Sequence, residues 1–168
     1  MTSNAPSCSC CAPKPASDQL PTNGCPRCGV QSQHRVQAVT LRALLLEPEQ
    51  SLVSQGDHLL CLSPACPVVY FDPAGGAAFT KDQLRVRVGF KEAVAPRPLC
   101  YCFGHSWESL REEWLATGHS TVAAAIREAM RTDGCRCEET NPKGVCCLGD
   151  VTEALNQIQA REAERHPK

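Results

Sequence analysis

The sequence predicts an α+β chain: a small β-rich module first, then a small helical one, each gathered around cysteines. Three observations carry this. Thirteen of the 168 residues are cysteine and only 5% are aromatic, so metals or crosslinks rather than a large core must hold the chain together. From residue 25 to residue 95 short apolar runs alternate with Pro, Gly and Asp turns, the pattern of strands. Beyond Pro96 and Pro98 the apolar period lengthens to that of amphipathic helices.

In chain order, residues 1–24 are rich in Pro, Ser, Ala and Asn and read as a disordered tail bearing CSCC at Cys8, Cys10 and Cys11. Residues 25–95 make the β-rich module. HRVQAVTL alternates well enough to be a strand, and HLLCL, PVVYF and LRVRVGF are β-rich runs separated by SPAC and DPAGG turns. In LRVRV, Val86 and Val88 share one face and Arg85 and Arg87 the other, as in a half-buried strand. Residues 96–168 make the helical module. Trp107, Leu110 and Trp114 form the stripe of a first helix, with Ser106 as N-cap and Gly118 as stop. A second starts at Ser120 or Thr121, aligns Val122, Ile126 and Met130, and ends at Gly134. Asp150 opens a third, with Glu153 as its capping-box partner and Leu155 and Ile158 inward, and its tail, REAERHPK, is expected to fray.

Composition excludes several classes. A formal net charge of -1 argues against a general nucleic-acid binder. No apolar run approaches the roughly 18 to 20 residues of a membrane span. The first residues lack the basic and apolar regions of a secretory signal, so a cytoplasmic, reducing compartment is expected. An odd cysteine count and the vicinal pairs Cys10-Cys11 and Cys146-Cys147 fit a disulfide framework badly. Metal sites are the better reading.

The cysteines fall into two groups. CPRCG supplies Cys25 and Cys28 around a tight turn, and CLSPAC supplies Cys61 and Cys66 at the end of one strand and the start of another. Two thiolate pairs about thirty residues apart suit a closed tetrahedral Zn2+ site. His34 and His58 could replace one sulfur, though each reads more simply as a surface histidine. In the second group, CYCF brings Cys100 and Cys102, and CRCEETNPKGVCC brings Cys135, Cys137, Cys146 and Cys147. A helical hairpin would return the later cysteines to the start of the first helix, where six sulfurs converge. Helix N-termini stabilise thiolates there. A second zinc and an iron–sulfur cluster share this geometry.

The second group, CYCF followed by CRCE, resembles the bacterioferritin-associated ferredoxin type of [2Fe-2S] domain. CPRCG, CLSPACPVVYF, RVRVGFKE, PRPLCYCF and CRCEETNPKGVCCLGDV together resemble the N-terminal domain of archaeal CopZ copper chaperones. The resemblance implies zinc at Cys25, Cys28, Cys61 and Cys66, and a [2Fe-2S] cluster begun by Cys100 and Cys102. The second half is then a small helical [2Fe-2S] module. CEETNPKGVCC points to Cys137 and Cys147 as its closing ligands, whereas the ferredoxin-like spacing points to Cys135 and Cys137. Adjacent residues of an extended segment face opposite ways, so Cys146 and Cys147 are not both expected at one small cluster, and Cys137 and Cys147 are the preferred ligands the resemblance implies. That family continues into a heavy-metal-binding domain whose CxxC loop holds Cu(I). The sequence reaches Lys168 without one, so Cys8, Cys10 and Cys11 are candidate ligands for Cu(I) or Hg(II).

The leading expectation is a [2Fe-2S] and zinc protein for one-electron transfer linked to copper or other soft-metal handling, able to deliver Cu(I) from Cu(II). Its partner would be a redox protein or a metal-carrying protein. The alternative is a non-redox, metal-stabilised adaptor or protein-interaction module. No Ser-His-Asp arrangement, phosphate loop or open metal site is recognisable, so no catalytic residue is assigned. Lys81, Arg85, Arg87, Lys91 and Arg97 outnumber Asp82 and Glu92, which suggests a docking face for an acidic partner. The sequence assigns no oligomeric state.

Overall fold

The computed structural model describes residues 23–165, so the calls on Cys8, Cys10 and Cys11 lie outside the described residues. The first half is a four-stranded antiparallel sheet in the order β1-β2-β3-β4. The strands are β1 (Arg35–Val36), β2 (His58–Leu60), β3 (Val68–Phe71) and β4 (Ala78–Thr80). Every residue of β2 and β3 is buried, as continuous apolar runs covered on both faces should be. Leu60 and Tyr70 pack with Leu41, Leu45, Phe79 and Val88. Their neighbours Leu59 and Phe71 pack with Cys25, Cys61 and Cys66. One face of the sheet therefore meets apolar side chains, and the other meets sulfur.

Two expected strands differ. HRVQAVTL stops being a strand at Val36 and becomes helix α1 (Ala38–Leu44), followed by a one-turn helix α2 (Glu47–Gln50). Thr40, Leu41 and Leu44 are its buried positions, a helical spacing that prevails over the apparent alternation. LRVRVGF makes only one bridge, Leu84 to Leu45. The Arg85 amide then bonds the Leu44 carbonyl at the end of α1, and a 3-10 turn follows at Gly89–Lys91. With that amide committed to the helix end, no partner strand continues the ladder.

The basic ribbon is likewise not a free cationic face. Lys81 and Arg87 both pair with Glu92, and Arg97 pairs with Glu108. Arg85 donates to the Leu45 carbonyl, and Lys91 is buried.

The second half opens with a hairpin, β5 (Pro98–Cys100) and β6 (His105–Ser106), leading into α3 (Trp107–Thr117). Ser106 caps α3 by accepting from the Ser109 amide at 3.1 Å, and Gly118 ends it at φ +73°, a conformation that suits glycine. Then come α4 (Val122–Thr132), the short α5 (Cys137–Thr140) and α6 (Leu148–Arg165). The third expected helix starts two residues early. Asp150 is not its cap; the carboxylate sits in the first turn and takes Lys143, where an anion favours the helix dipole. Leu110, Val122, Ile126, Val151, Ala154 and Ile158 form the core with Cys100 and Cys147, and Leu155 is only half-buried.

The halves meet along two seams. In the first, Gly89 lies flat against Pro98, and its amide donates to the Tyr101 hydroxyl, which donates in turn to the Arg87 carbonyl. In the second, α1 packs against α5, and Tyr70 of β3 donates to the Pro142 carbonyl at 2.8 Å. The chain thus has two cores but a continuous join. An ideal Cβ on Gly89 would stand 1.8 Å from the Pro98 carbonyl oxygen. Gly89→Ala is therefore expected to destabilise the whole chain by at least the about 1–3 kcal/mol usual for overpacking, read as a lower midpoint in chemical denaturation.

Candidate metal centre

Two tight turns, one ahead of β1 and one joining β2 to β3, each deliver one sulfur pair. At the first, the Gly29 amide donates to the Cys25 carbonyl and the Cys25 amide to Val30, with Gly29 at φ +72°. At the second, the Cys66 amide donates to the Ser63 carbonyl, and Cys61 bonds Val69 across to β3. The sulfurs of Cys25, Cys28, Cys61 and Cys66 all lie within 4.8 Å of one another. Cys25 to Cys66 is 3.9 Å and Cys28 to Cys61 is 3.6 Å. A zinc tetrahedron with Zn–S of about 2.3 Å has S–S edges of roughly 3.8 Å. The donors fit that ion.

The surroundings suit a tetrathiolate. Cys25, Cys61 and Cys66 are buried while Cys28 sits at the rim. Metal-free, Cys28 is held down to about 7 by its bond to the Val30 backbone, whereas burial pushes Cys61 up to about 12 and raises Cys66. Cys28 is the thiolate first offered to an incoming ion. Lys91, 5% exposed, donates to the Ser63 and Cys66 carbonyls at 2.8 and 3.1 Å. Desolvation lowers its pKa and the four sulfurs raise it. Its ammonium lies where a cluster of thiolates places excess negative charge. Sequence reasoning counted Lys91 among surface cations, because nothing local distinguishes it from its neighbours.

The second group does not converge as six. Cys102 lies 3.8 Å from Cys137, and also contacts the Thr140 hydroxyl at 3.2 Å. Cys147 donates to Cys100, which draws Cys100 down to about 6 and pushes Cys147 up. Burial pushes Cys137 up to about 12. Cys135 and Cys146 are exposed beside these pairs. All ten described cysteines are free thiols. Glu138 and Glu139 are exposed. Neither histidine joins a metal group among the described residues. The His34 ring bonds the Lys143 carbonyl at 2.8 Å. His58 is not a surface residue: it is fully buried, with neither ring nitrogen hydrogen-bonded, and desolvation lowers its pKa.

A family model described as a zinc-binding domain, zf_CopZ, matches residues 22–85. Over 123 residues the chain is 34% identical to the copper chaperone CopZ of Archaeoglobus fulgidus, covering 73% of this chain and 57% of that protein. The chain thus spans little more than half the length of that curated relative. The X-ray structure of the Archaeoglobus fulgidus CopZ N-terminal domain superposes with a TM-score of 0.64 at 32% identity, over 77% of this chain and 95% of that one.

These findings correct the expected [2Fe-2S] cofactor and one-electron role. The matching model is described by zinc, and the relative is named for copper carriage, a task of exchangeable thiol ligands rather than of an electron-transfer centre. Among the described residues, Cys25, Cys28, Cys61 and Cys66 are the group whose ligand atoms close around one ion-sized point. Cys102 pairs with Cys137 and Cys100 with Cys147, and the Cys147 backbone links the two pairs by bonding the Cys137 sulfur. The ferredoxin-type resemblance of the second half has no counterpart in these matches. A zinc-binding domain of the CopZ N-terminal kind is what they support.

Zinc must displace the protons of its ligands, so affinity falls with falling pH. Above about pH 7 Cys28 is already deprotonated in the metal-free site, while Cys61 keeps its proton to about 12. The loss of zinc affinity per pH unit should therefore be steeper below pH 7 than above it. A chromophoric-chelator competition run from pH 5 to pH 9 measures this; an even slope throughout would contradict the assigned role of Cys28.

Proposed function

The chain belongs to the family of the CopZ N-terminal domain, and from that kinship we propose that it works as a zinc-held metal carrier or adaptor in copper handling. One observation carries the reading: four sulfurs spaced for a single ion, on turns inside the region that the zinc-domain model matches. Cys25, Cys28, Cys61 and Cys66 hold Zn2+. A closed four-sulfur shell has no open position for water or substrate, so zinc organises residues 25–95 and does no chemistry.

Cargo is the task of residues 96–168. Soft thiolates select Cu(I), and Cys100, Cys102, Cys137 and Cys147 form two thiol pairs, buried except for the half-buried Cys102. No residue is assigned a catalytic role. Free thiols at every described cysteine suit a reducing cytoplasm, and among the described residues no helix is long and apolar enough to cross a membrane. The partner is the protein that gives or takes the copper.

Metal analysis of anaerobically purified protein tests both halves of the proposal. One zinc per chain is expected, lost in Cys66→Ser. Titration with Cu(I) against a competing chelator should show uptake that falls roughly tenfold or more in the Cys100→Ser and Cys147→Ser variant, with zinc unchanged. Stoichiometric iron and acid-labile sulfide in the isolated protein would overturn the copper assignment of the second set. Folded, zinc-free protein would overturn the first.

A further inference from the structure

The segment between Cys137 and Cys147 carries two of the second-set sulfurs, and the zinc-bearing half grips it at three points. The buried Tyr70 hydroxyl donates to the Pro142 carbonyl at 2.8 Å. The His34 ring bonds the Lys143 carbonyl at 2.8 Å. Gly144, at φ +66°, lies so close to Val36 and Thr40 that an added Cβ would approach them to 3.3 and 3.1 Å. Within the segment, Asn141 closes its own turn by donating to the Val145 carbonyl and accepting from the Lys143 amide. Lys143 reaches on to Asp150 in the first turn of α6, three residues beyond Cys147.

Each grip stands on an element tied to the four-sulfur group. Tyr70 is on β3, which begins two residues after Cys66 and is bonded to Cys61 through Val69. His34 follows the Cys25–Cys28 turn and accepts the Leu60 amide on its own carbonyl, one residue before Cys61. Loss of the ion that fixes those turns would free the elements that present Tyr70 and His34.

We infer that Tyr70 and His34 are positioning residues for the second thiol set, and that occupancy of the four-sulfur site thereby controls how tightly Cys137 and Cys147 are held. The inference uses the zinc assignment proposed above but not the copper one. Coupling between two binding sites is reciprocal, so a ligand that fixes the second set should also slow zinc loss. It also means that the two cores do not respond separately: a lost zinc ligand disturbs the helical half as well.

Thiol labelling separates this from simple structural support. Protein with zinc bound and the second set metal-free, as checked by metal analysis, is treated with iodoacetamide, and each cysteine is followed by mass spectrometry. Cys135 and Cys146, exposed in the starting structure, are the internal reference. Tyr70→Phe should keep one zinc per chain yet label Cys137 and Cys147 roughly fivefold faster or more. Removing zinc from the unaltered protein should produce the same rise, and removing it from Tyr70→Phe should add little. Unchanged labelling in Tyr70→Phe and after zinc removal would overturn the inference. Should Tyr70→Phe lose its fold, Gly144→Ala breaks the grip from the opposite side, with the same two outcomes. The labelling result stands whether or not the second set takes Cu(I).

Discussion

Four sulfurs at the edge of a thin sheet are the constraint on which the rest of this chain depends. The sheet has short strands, and on one of its faces Leu59, Val68 and Phe71 are buried against Cys25, Cys61 and Cys66. In the zinc reading proposed above, an ion at their centre takes the place of a second apolar layer. The exchange has an electrostatic cost, because a divalent ion with four thiolates is left with net negative charge in a buried place. Lys91 meets that charge from inside the fold, its ammonium fixed by two carbonyls of the same sulfur-bearing turn. Metal, turn and buried cation are one unit, and removing any member exposes the others to an uncompensated charge.

From that unit the order passes outward through the backbone. β3 leaves the second sulfur turn and carries Tyr70 to the far half, while the 3-10 turn that holds Lys91 also holds Gly89, the residue pressed against Pro98. Both seams therefore start within a few residues of the four-sulfur group. The helical half has its own core of leucine, isoleucine and valine, yet Cys100 and Cys147 belong to that core and the loop from Cys137 to Cys147 is held from outside. Two small cores of this size are individually marginal, and the seams make them cooperative.

The cysteine framework and the helix ends were legible in the sequence because both are local signals. CPRCG and CLSPAC announce their turns, and Ser106 and Gly118 bound α3 as a cap and a left-handed stop do. Cys147 is buried and Cys146 exposed, the opposite facing that adjacent residues of a chain imply; nothing local separates buried Cys137 from exposed Cys135. The misreadings were tertiary. Arg85 lost its strand because its amide found the end of α1, and Lys91 left the surface because its ammonium found the carbonyls of Ser63 and Cys66, 28 and 25 residues earlier. His58 is buried by strands on both sides of β2, which no local pattern reports. Tyr70 had one signal: a tyrosine inside a continuous buried run must find a partner for its hydroxyl. Nothing local named Pro142 as that partner.

The two sulfur sets differ in a way that bears on what each can do. The first has four ligands at one point, three of them buried, and its neighbours are carbonyls, amides and one cation, with no spare thiol among the described residues. Such a set binds once and keeps what it binds. The second has its buried sulfurs in pairs, with Cys135 and Cys146 exposed at the two ends of the same loop. A soft ion moves between proteins by gaining an incoming thiolate before it loses an outgoing one, so exchange needs accessible sulfur next to protected sulfur. Cys28 is the exposed sulfur of the first set, but among the described residues only the second has exposed sulfurs, Cys135 and Cys146, beyond its four paired ones. Its loop is gripped at Pro142, Lys143 and Gly144 while its ends stay open, and in the function proposed above the first half is then the fixed frame and the helical half the surface where metal changes hands.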